Sequence, residues 1–230
     1  MDIVERLMCF GLTRHEANIY LLLFAEGELN GYEVSKLTGI SRSNTYNSLA
    51  GLVEKGAAYI IDSGAILYTP VSIEEFCSNK IRFMEDNKAE IIKNVPKRKE
   101  ETNGYITIKG EKHIKDKFRN MLMQAKERVY LDMSEKMLND VKSELIELRD
   151  RGIKIVIITD STFKLDGTII YNAEKDPVQI RLIVDSKYVL TGEIGDELNS
   201  TCLYSSNNNL VQVFKDALIN EMKLIEIMKG

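Results

Sequence analysis

The sequence predicts an α+β winged helix-turn-helix, then a long linking helix, then an α/β domain with a mixed sheet. Helical patterns with capping residues occupy residues 13 to 56, a β-prone hairpin follows, and strands alternate with helices in the second half. The chain has 230 residues, 44% hydrophobic and 29% charged, which suits two folded domains and excludes overall disorder. We expect the winged domain, the linking helix with a linker, and the α/β domain at residues 1–70, 71–100 and 101–230.

Two helices are predicted at the start of the chain from their capping residues. Thr13 and Glu16 form a capping-box pattern ahead of an apolar stripe that stops at a glycine. Asn30 is placed to cap a second, shorter helix that also stops at a glycine. On this second helix we expect Val34 and Leu37 to be buried.

A third helix is predicted from Ser41 to Gly56, with its apolar residues facing the core: Tyr46, Leu49, Leu52 and Val53. The polar residues of its first turns are then left on the outer side: Arg42, Ser43, Asn44 and Asn47. A helix-turn-helix with such a second helix fits the major groove of DNA, where Arg can read guanine and Asn can read adenine. Ser41 and Ser43 are placed to contact phosphates, and Lys36 and Lys55 add positive charge nearby.

A hairpin and a long helix follow. The segment AAYIIDSGAILYTP is β-prone on both sides of Asp62-Ser63-Gly64, which predicts the wing. A helix is expected from Ser72 to about Val95. Its apolar residues are more than one isolated helix can cover, and they either pack on their own domain or pair with a second chain. We favour pairing, and the candidate dimerisation residues are Phe76, Cys77, Phe83, Met84 and Ile91.

The charge of the first domain is unusual for a DNA-binding protein. Residues 1–70 hold five lysines and arginines against eight aspartates and glutamates. Any contact with DNA must therefore depend on a local cluster such as Lys36, Arg42 and Lys55. The same polar helix start also fits a module in which Ser and Asn only cap the helix, and winged domains can bind proteins instead of DNA.

The second half begins after Pro96 and a charged run, which mark the domain boundary. Strands are predicted at YITIKG, RVYLDM, KIVIITD, TIIYN, VQIRLIVD, KYVLTG and TCLYS. Helices are predicted from Glu111 to Lys126, from Glu135 to Asp150, and from a cap near Asn207 onward. This alternation favours a parallel or mixed sheet flanked by helices.

The first half resembles the TrmB family of transcriptional regulators over residues 1 to about 95. The similar segments are FGLTRHEANIYLLLF, GYEVSKLTGISRSNTYNSLAGLVEKG and LYTPVSIEEF. They contain a Gly-Leu-Thr-x-x-Glu-Ala start, an Ile-Ser-Arg-Ser-x-x-Tyr recognition segment, and Tyr68 with Pro70 at the end of the wing. The resemblance implies a winged-helix DNA reader, usually dimeric, followed by an effector-sensing region.

The second half is similar to the phospholipase D-like regulatory domain found in that family, through GEKHIKDKF, AKERVYLDM and LIELRDRGIKIVIITD. Active phospholipase D-like enzymes carry His-x-Lys and an Asp seven residues after the His, because the His is the nucleophile and the Lys holds the phosphate. If Asp185 is aligned with that Asp, Val178 and Ile180 occupy the His and Lys positions. We therefore expect no enzyme, and a phosphodiesterase is the less favoured alternative.

Asp132 and Asp160 stand near the carboxyl ends of two predicted strands, where α/β sheets usually accept ligands. Together with Asp185 they are the candidate effector-binding residues, although each also fits a turn or a helix cap. The effector would be a small molecule that the sequence does not specify. No cofactor motif is present and the three cysteines lack the spacing of a zinc site, so neither a cofactor nor a metal is expected.

These observations together predict a cytoplasmic homodimer that binds a pseudo-palindromic operator in double-stranded DNA. Its two recognition helices would enter successive major grooves ~34 Å apart. No apolar run approaches the ~20 residues that span a bilayer, so no membrane association is expected. A winged-helix module that binds proteins and not DNA is the alternative.

Overall fold

The computed structural model describes residues 1–62, 64–96, 104–160, 162–195 and 200–229. The chain divides into two units, Met1–Lys97 and Arg98–Gly230. A winged helix-turn-helix and a long helix form the first unit, and an α/β domain with a mixed sheet forms the second. The fold class predicted from the sequence is confirmed. Within the described residues, no helix is long and apolar enough to cross a membrane.

The first unit contains five helices and one hairpin among its described residues. They are α1 (Ile3–Cys9), α2 (Arg14–Glu26), α3 (Gly31–Thr38), α4 (Arg42–Glu54), β1 (Ala58–Asp62), β2 (Ile66–Pro70) and α5 (Ile73–Asn94). The predicted caps at Thr13 and Asn30 are confirmed, and both are reciprocal capping boxes. Ser41, where the third helix was predicted to begin, is the N-cap of α4. Helix α1, which has a capping box of its own at Asp2, was not predicted.

Two residues that were expected in the core are exposed, which corrects the orientation of α3 and α4. Leu37 is 55% exposed and Tyr46 is 50% exposed. The inner face of α4 is formed by Thr45, Ser48, Leu49 and Leu52. Thr45 and Ser48 therefore occupy the core side of α4, where the apolar pattern of the sequence predicted Tyr46. The hydroxyl of Thr45 compensates for its burial by donating to the carbonyl of Ile40 at 3.3 Å.

The wing is an antiparallel pair with Ala58 opposite Pro70 and Asp62 opposite Ile66. The predicted turn residue Ser63 lies outside the described residues. The start of α5 packs on the winged domain, because the ring of Phe76 is 5.9 Å from that of Tyr20 and is 2% exposed. All residues of α5 from 81 to 94 are exposed. Residues 97–103 of the charged run that follows Pro96 also lie outside the described part of the chain.

The second unit is built on a seven-stranded sheet. Its elements are β3 (Tyr105–Lys109), α6 (Glu111–Gln124), β4 (Arg128–Met133), α7 (Glu135–Asn139), α8 (Lys142–Asp150), β5 (Lys154–Thr159), β6 (Ile169–Asn172), β7 (Gln179–Val184), β8 (Tyr188–Glu193), β9 (Thr201–Ser205) and α9 (Asn208–Lys229). The strand order is β3-β9-β8-β7-β4-β5-β6, and only β4, β5 and β6 are parallel. The single helix predicted from Glu135 to Asp150 is wrong, because the chain breaks at Asp140 and Val141 into α7 and α8.

Helices cover both faces of this sheet. Helices α6 and α8 bury one face through residues such as Phe118 and Leu145. Helix α9 covers the other face with Val211, Leu218 and Ile225, which pack together with Ile183 of β7. Side chains that alternate to the α9 face near the carboxyl ends of β4 and β5 are therefore close to α9.

Candidate functional site

The polar side chains predicted to read DNA lie together at the start of α4. Arg42, Ser43, Asn44 and Asn47 are all exposed. Ser41 is committed to the helix cap, since its hydroxyl accepts a hydrogen bond from the amide of Asn44 at 3.4 Å. The arrangement leaves one guanidinium and two carboxamides free to approach an external surface.

Two tyrosines that sequence analysis did not assign to this surface border it. The guanidinium of Arg42 lies 5.0 Å from the centre of the Tyr32 ring, a cation–π contact that restricts its orientation. Tyr46 lies across the start of α3, where a Cβ atom on Gly31 would come within 2.5 Å of its ring. Gly31 therefore permits close contact between α3 and α4. No local periodicity connects Tyr32 with Arg42, so only the fold brings them together.

The two predicted lysines have different surroundings. Lys36 is exposed in the last turn of α3. Lys55 instead places its Nζ 2.6 Å from the carboxylate of Glu16, whose side chain is only 7% exposed. Lys55 also lies at the far end of α4, about 20 Å from Arg42 at the helical rise per residue. The assignment of Lys55 to DNA binding is therefore corrected to a structural ion pair.

The Glu16 carboxylate connects α2 with the end of α4. It accepts hydrogen bonds from Lys55 and from the backbone amide of Thr13. Burial alone would raise the pKa of Glu16, but these donors outweigh it and lower the pKa. A Cβ atom on Gly51 would overlap this carboxylate. The pair therefore occupies a close-packed position that fixes the end of α4.

The wing offers no positive charge. No lysine or arginine occurs between Gly56 and Asn79. Ile60 and Ile66 are more than half exposed on the hairpin. Phosphate contacts by this wing would have to come from backbone amides or hydroxyl groups.

Two of the three candidate effector residues lie close together in the second unit. Asp132 of β4 is 4% exposed, and one of its oxygens is 2.7 Å from the Nζ of Lys175. The backbone amide of the same Lys175 donates to Asp160 at 3.1 Å. Asp160 also accepts from the amide of Glu135 at 3.0 Å, so it caps the start of α7. The structure thus brings Asp132 and Asp160 into one polar cluster at the carboxyl ends of β4 and β5.

Further charged side chains complete this cluster. The second oxygen of Asp132 is 2.7 Å from Arg181 of β7. Glu221 of α9 pairs with Lys175 and lies 3.8 Å from Arg181. Two carboxylates and two cations therefore balance in a group that joins the sheet to α9. Sequence reasoning missed Lys175, Arg181 and Glu221, because they come from separate segments with no shared motif.

Asp185 is not part of this cluster. It stands in the tight turn between β7 and β8, next to the start of β4, with Asp185 and Ser186 at φ of 50° and 53°. Its carboxylate accepts from the amides of Lys126, Glu127 and Arg128 at 3.0, 2.8 and 3.0 Å. Burial would raise the pKa of Asp185, but these three amides outweigh it and lower the pKa. The effector assignment of Asp185 is therefore corrected to a structural one.

The positions aligned with the His and Lys of active phospholipase D-like enzymes hold aliphatic side chains. Ile180 is fully buried in the sheet core and Val178 is half-buried beside it. Neither side chain has an atom that can attack or bind a phosphate.

The candidate dimerisation residues divide into two groups. Phe76 belongs to the core of the winged domain and is removed from the candidate surface, and Cys77 is half-buried against that core. Phe83, Met84 and Ile91 are each more than half exposed on α5.

Comparison with known proteins identifies relatives of both halves. The chain is 25% identical over 240 residues to the uncharacterized protein YrhO of Bacillus subtilis, covering all of this chain and 86% of that protein. It is 25% identical over 166 residues to the HTH-type sugar sensing transcriptional regulator TrmBL1 of Pyrococcus furiosus, covering 69% of this chain and 48% of that protein. The chain thus spans about half the length of TrmBL1.

Solved structures with similar folds include TrmBL2, described as an archaeal chromatin protein, at 22% identity and a TM-score of 0.45. The match covers 95% of this chain and 96% of TrmBL2. The phospholipase D family member Nuc of Salmonella typhimurium matches at 15% identity and a TM-score of 0.41, over 51% of this chain and 93% of Nuc.

Two family models match the sequence directly. The model of the sugar-specific transcriptional regulator TrmB matches residues 7–74. The model of the EBD N-terminal subdomain of transcriptional regulator TrmB matches residues 104–221, which is more than half of the chain. The chain therefore belongs to the TrmB family of transcriptional regulators.

Proposed function

We propose that this protein is a sequence-specific, DNA-binding transcriptional regulator that acts as a homodimer and is controlled through its second unit. The observation that carries the proposal is the start of α4, where Arg42, Asn44 and Asn47 are exposed while Leu49 and Leu52 are buried further along the helix. The membership of the chain in a family of transcriptional regulators supports the same conclusion.

In this proposal the start of α4 enters the major groove. Arg42 donates two hydrogen bonds to a guanine, and Asn47 pairs with an adenine. Ser43 and the free amides of the first helical turn meet phosphate oxygens, and Lys36 adds charge at the groove edge. The contact between Arg42 and Tyr32 supports this role, because it restricts the arginine before DNA arrives.

The proposed dimer forms through α5. Four exposed residues recur along it at intervals of three, four and three, the spacing of a coiled-coil seam: Ile81, Met84, Lys88 and Ile91. A parallel pair would set Lys80 of one copy beside Glu85 of the other, twice per dimer. It would also place both recognition helices on one side, as a pseudo-palindromic operator requires.

DNA binding is tested by selecting bound fragments of genomic DNA with the full-length protein. Arg42→Ala and Asn47→Ala are each expected to weaken binding by ~1 to 3 kcal/mol and to relax the preference at one base pair per half-site. Arg6→Ala is the matched control, because Arg6 is an exposed arginine on α1, outside the helix-turn-helix. If the wild type enriches no sequence, the proposal is refuted and the protein-binding module is favoured. The absence of lysine and arginine from the wing and the net acidity of the first 70 residues would suit such a module.

Dimerisation is tested by sedimentation of the full-length chain. Met84→Glu places a charge in the seam of α5 and is expected to give monomers. Asp86→Lys, on the opposite side of the helix, changes charge without touching the seam. A wild type that sediments as a monomer, or a Met84→Glu variant that associates like the wild type, would contradict the role of α5.

The effector is proposed to act at the polar cluster of Asp132 and Asp160. We further propose that the second unit is not an enzyme, since Val178 and Ile180 offer neither a nucleophile nor a phosphate ligand. Incubation with phosphodiester substrates should give no turnover above buffer. Turnover that Asp185→Asn abolishes would contradict this, because that change would then remove a group needed for chemistry.

A further inference from the structure

Helix α9 has two apolar faces, and the sheet uses only one of them. The inner face packs on the sheet through Val211, Leu218 and Ile225. The outer face carries residues that are all exposed and that recur at intervals of four, three, four and three: Val213, Ala217, Asn220, Leu224 and Ile227. This spacing forms a straight seam of the kind that packs against another helix. In the described part of the chain, nothing covers this seam.

We propose that the outer face of α9 pairs antiparallel with the same face of a second copy of this chain. In this register Val213 lies opposite Leu224 of the partner and Ala217 lies opposite Asn220 of the partner. Each contact occurs twice about a two-fold axis, as a self-complementary interface requires. The proposal goes beyond the dimer through α5, because it uses a different helix in a different unit.

Charge selects the antiparallel orientation. Asp216 and Lys223 are exposed on the same edge of the seam. The antiparallel register sets Asp216 of one copy beside Lys223 of the other, on both sides of the axis. A parallel pair would instead set Asp216 beside Glu221 of the partner, so that like charges meet.

The register is tested by disulfide formation between two chains that each carry one exposed cysteine. The background is the full-length protein with Cys9→Ser and Cys77→Ser, since Cys202 is buried. One chain carries Val213→Cys and the other carries Leu224→Cys, with different mass tags. In this register, position 213 of one copy lies 11 residues along α9 from position 213 of the other, and the same holds for position 224. This separation is about 16 Å, which is too far for a disulfide.

Mild oxidation of the mixture is therefore expected to give about tenfold more mixed disulfide than either chain gives with itself. Gln212→Cys mixed with Leu224→Cys is the matched control, because residue 212 lies at the same height on α9 but off the seam. A mixed yield no higher than this control, or stronger linking of each chain to itself, would overturn the proposal.

A charge exchange tests the orientation independently. In the Met84→Glu background, which removes the α5 contact, Asp216→Lys and Lys223→Asp are each expected to weaken association about tenfold. The chain with both changes should recover the affinity, because every opposite-charge contact is restored with its sign reversed. Failure of the double variant to recover would refute the antiparallel pairing. Because the α5 contact is disrupted in the Met84→Glu background, this experiment tests the α9 pairing independently of the proposed α5 dimer.

Discussion

Replacing Asp185 tests whether this carboxylate is a structural group of the turn between β7 and β8. Its oxygens accept from three consecutive backbone amides, Lys126, Glu127 and Arg128, at 2.8 to 3.0 Å. Hydrogen bonds to a charged group contribute ~1.5 to 3 kcal/mol each when water cannot replace them. Because Asp185 is only half-buried, we expect water to recover part of this loss.

Asp185→Ala should therefore lower the free energy of unfolding by about 2 kcal/mol from lost hydrogen bonds. Alanine at a φ of 50° adds about 1 kcal/mol of backbone strain. Asp185→Asn keeps a neutral acceptor and tolerates the left-handed backbone, so about 1 kcal/mol is expected. Urea unfolding monitored by circular dichroism measures both variants against the wild type.

The pH dependence gives a second readout for Asp185. The three amides hold its pKa in the folded protein below the unfolded value, so its stabilisation is complete above the unfolded pKa of about 3.9. It is lost as the pH falls through the lower, folded pKa. The gap between wild type and Asp185→Asn should stay constant from pH 8 to about 5 and narrow towards pH 3. An alanine variant within about 0.5 kcal/mol of wild type, or a gap that is unchanged at pH 3, would refute the reasoning.

Three other substitutions probe the packing inside each of the two units. Lys55→Met leaves the Glu16 carboxylate, 7% exposed, without its cation, and should lower stability in urea by about 2 kcal/mol while leaving the DNA sequence preference unchanged. Leu49→Ala removes a fully buried side chain from α4, and calorimetry should show a loss of about 3 kcal/mol; a loss below 1 would mean that the core tolerates the cavity. Gly192→Ala would place a Cβ atom on the carbonyl oxygen of Thr201 in β9, so a loss of at least about 3 kcal/mol is expected, and wild-type stability would contradict this close approach.

Features set by neighbouring residues were predictable from the sequence. Thr13 and Asn30 mark helix starts because a cap depends on residues only two or three positions away. Residues 154–159 are recognisable as a buried strand because both faces of a central strand are apolar. Such features survive any tertiary arrangement and identify the winged helix-turn-helix and the mixed sheet.

Features that depend on tertiary contacts were not predictable. Thr45 and Ser48 are buried on the inner face of α4, whereas Tyr46, which was expected there, is exposed. The pairing of Glu16 with Lys55 joins residues 39 positions apart. A periodic sequence pattern does not report contacts between residues so far apart, so Lys55 was predicted to be available to DNA.

The cluster around Asp132 shows the same limit more clearly. Its carboxylate lies between Lys175, which follows β6, and Arg181 of β7, with Glu221 contributed by α9. Asp132 and Asp160 were expected near one sheet edge because carboxyl ends of parallel strands meet there. Which cations would meet them depended on the strand order, which the sequence does not state.

The charge of the winged domain and the exposed half of α5 both bear on how strongly one copy of the protein could bind DNA. Because Lys55 is paired internally and the wing has no lysine or arginine, the helix-turn-helix of one copy offers mainly Lys36 and Arg42 to phosphates and bases. Because affinity for DNA rises with the number of phosphates neutralised, a single copy would bind weakly, whereas two copies held by α5 double the contacts without a new cost of association. Control of the dimer contacts would therefore change DNA occupancy more than any adjustment within one recognition helix, and this makes the proposed pairing of α5 the step on which a signal from the second unit could act most effectively.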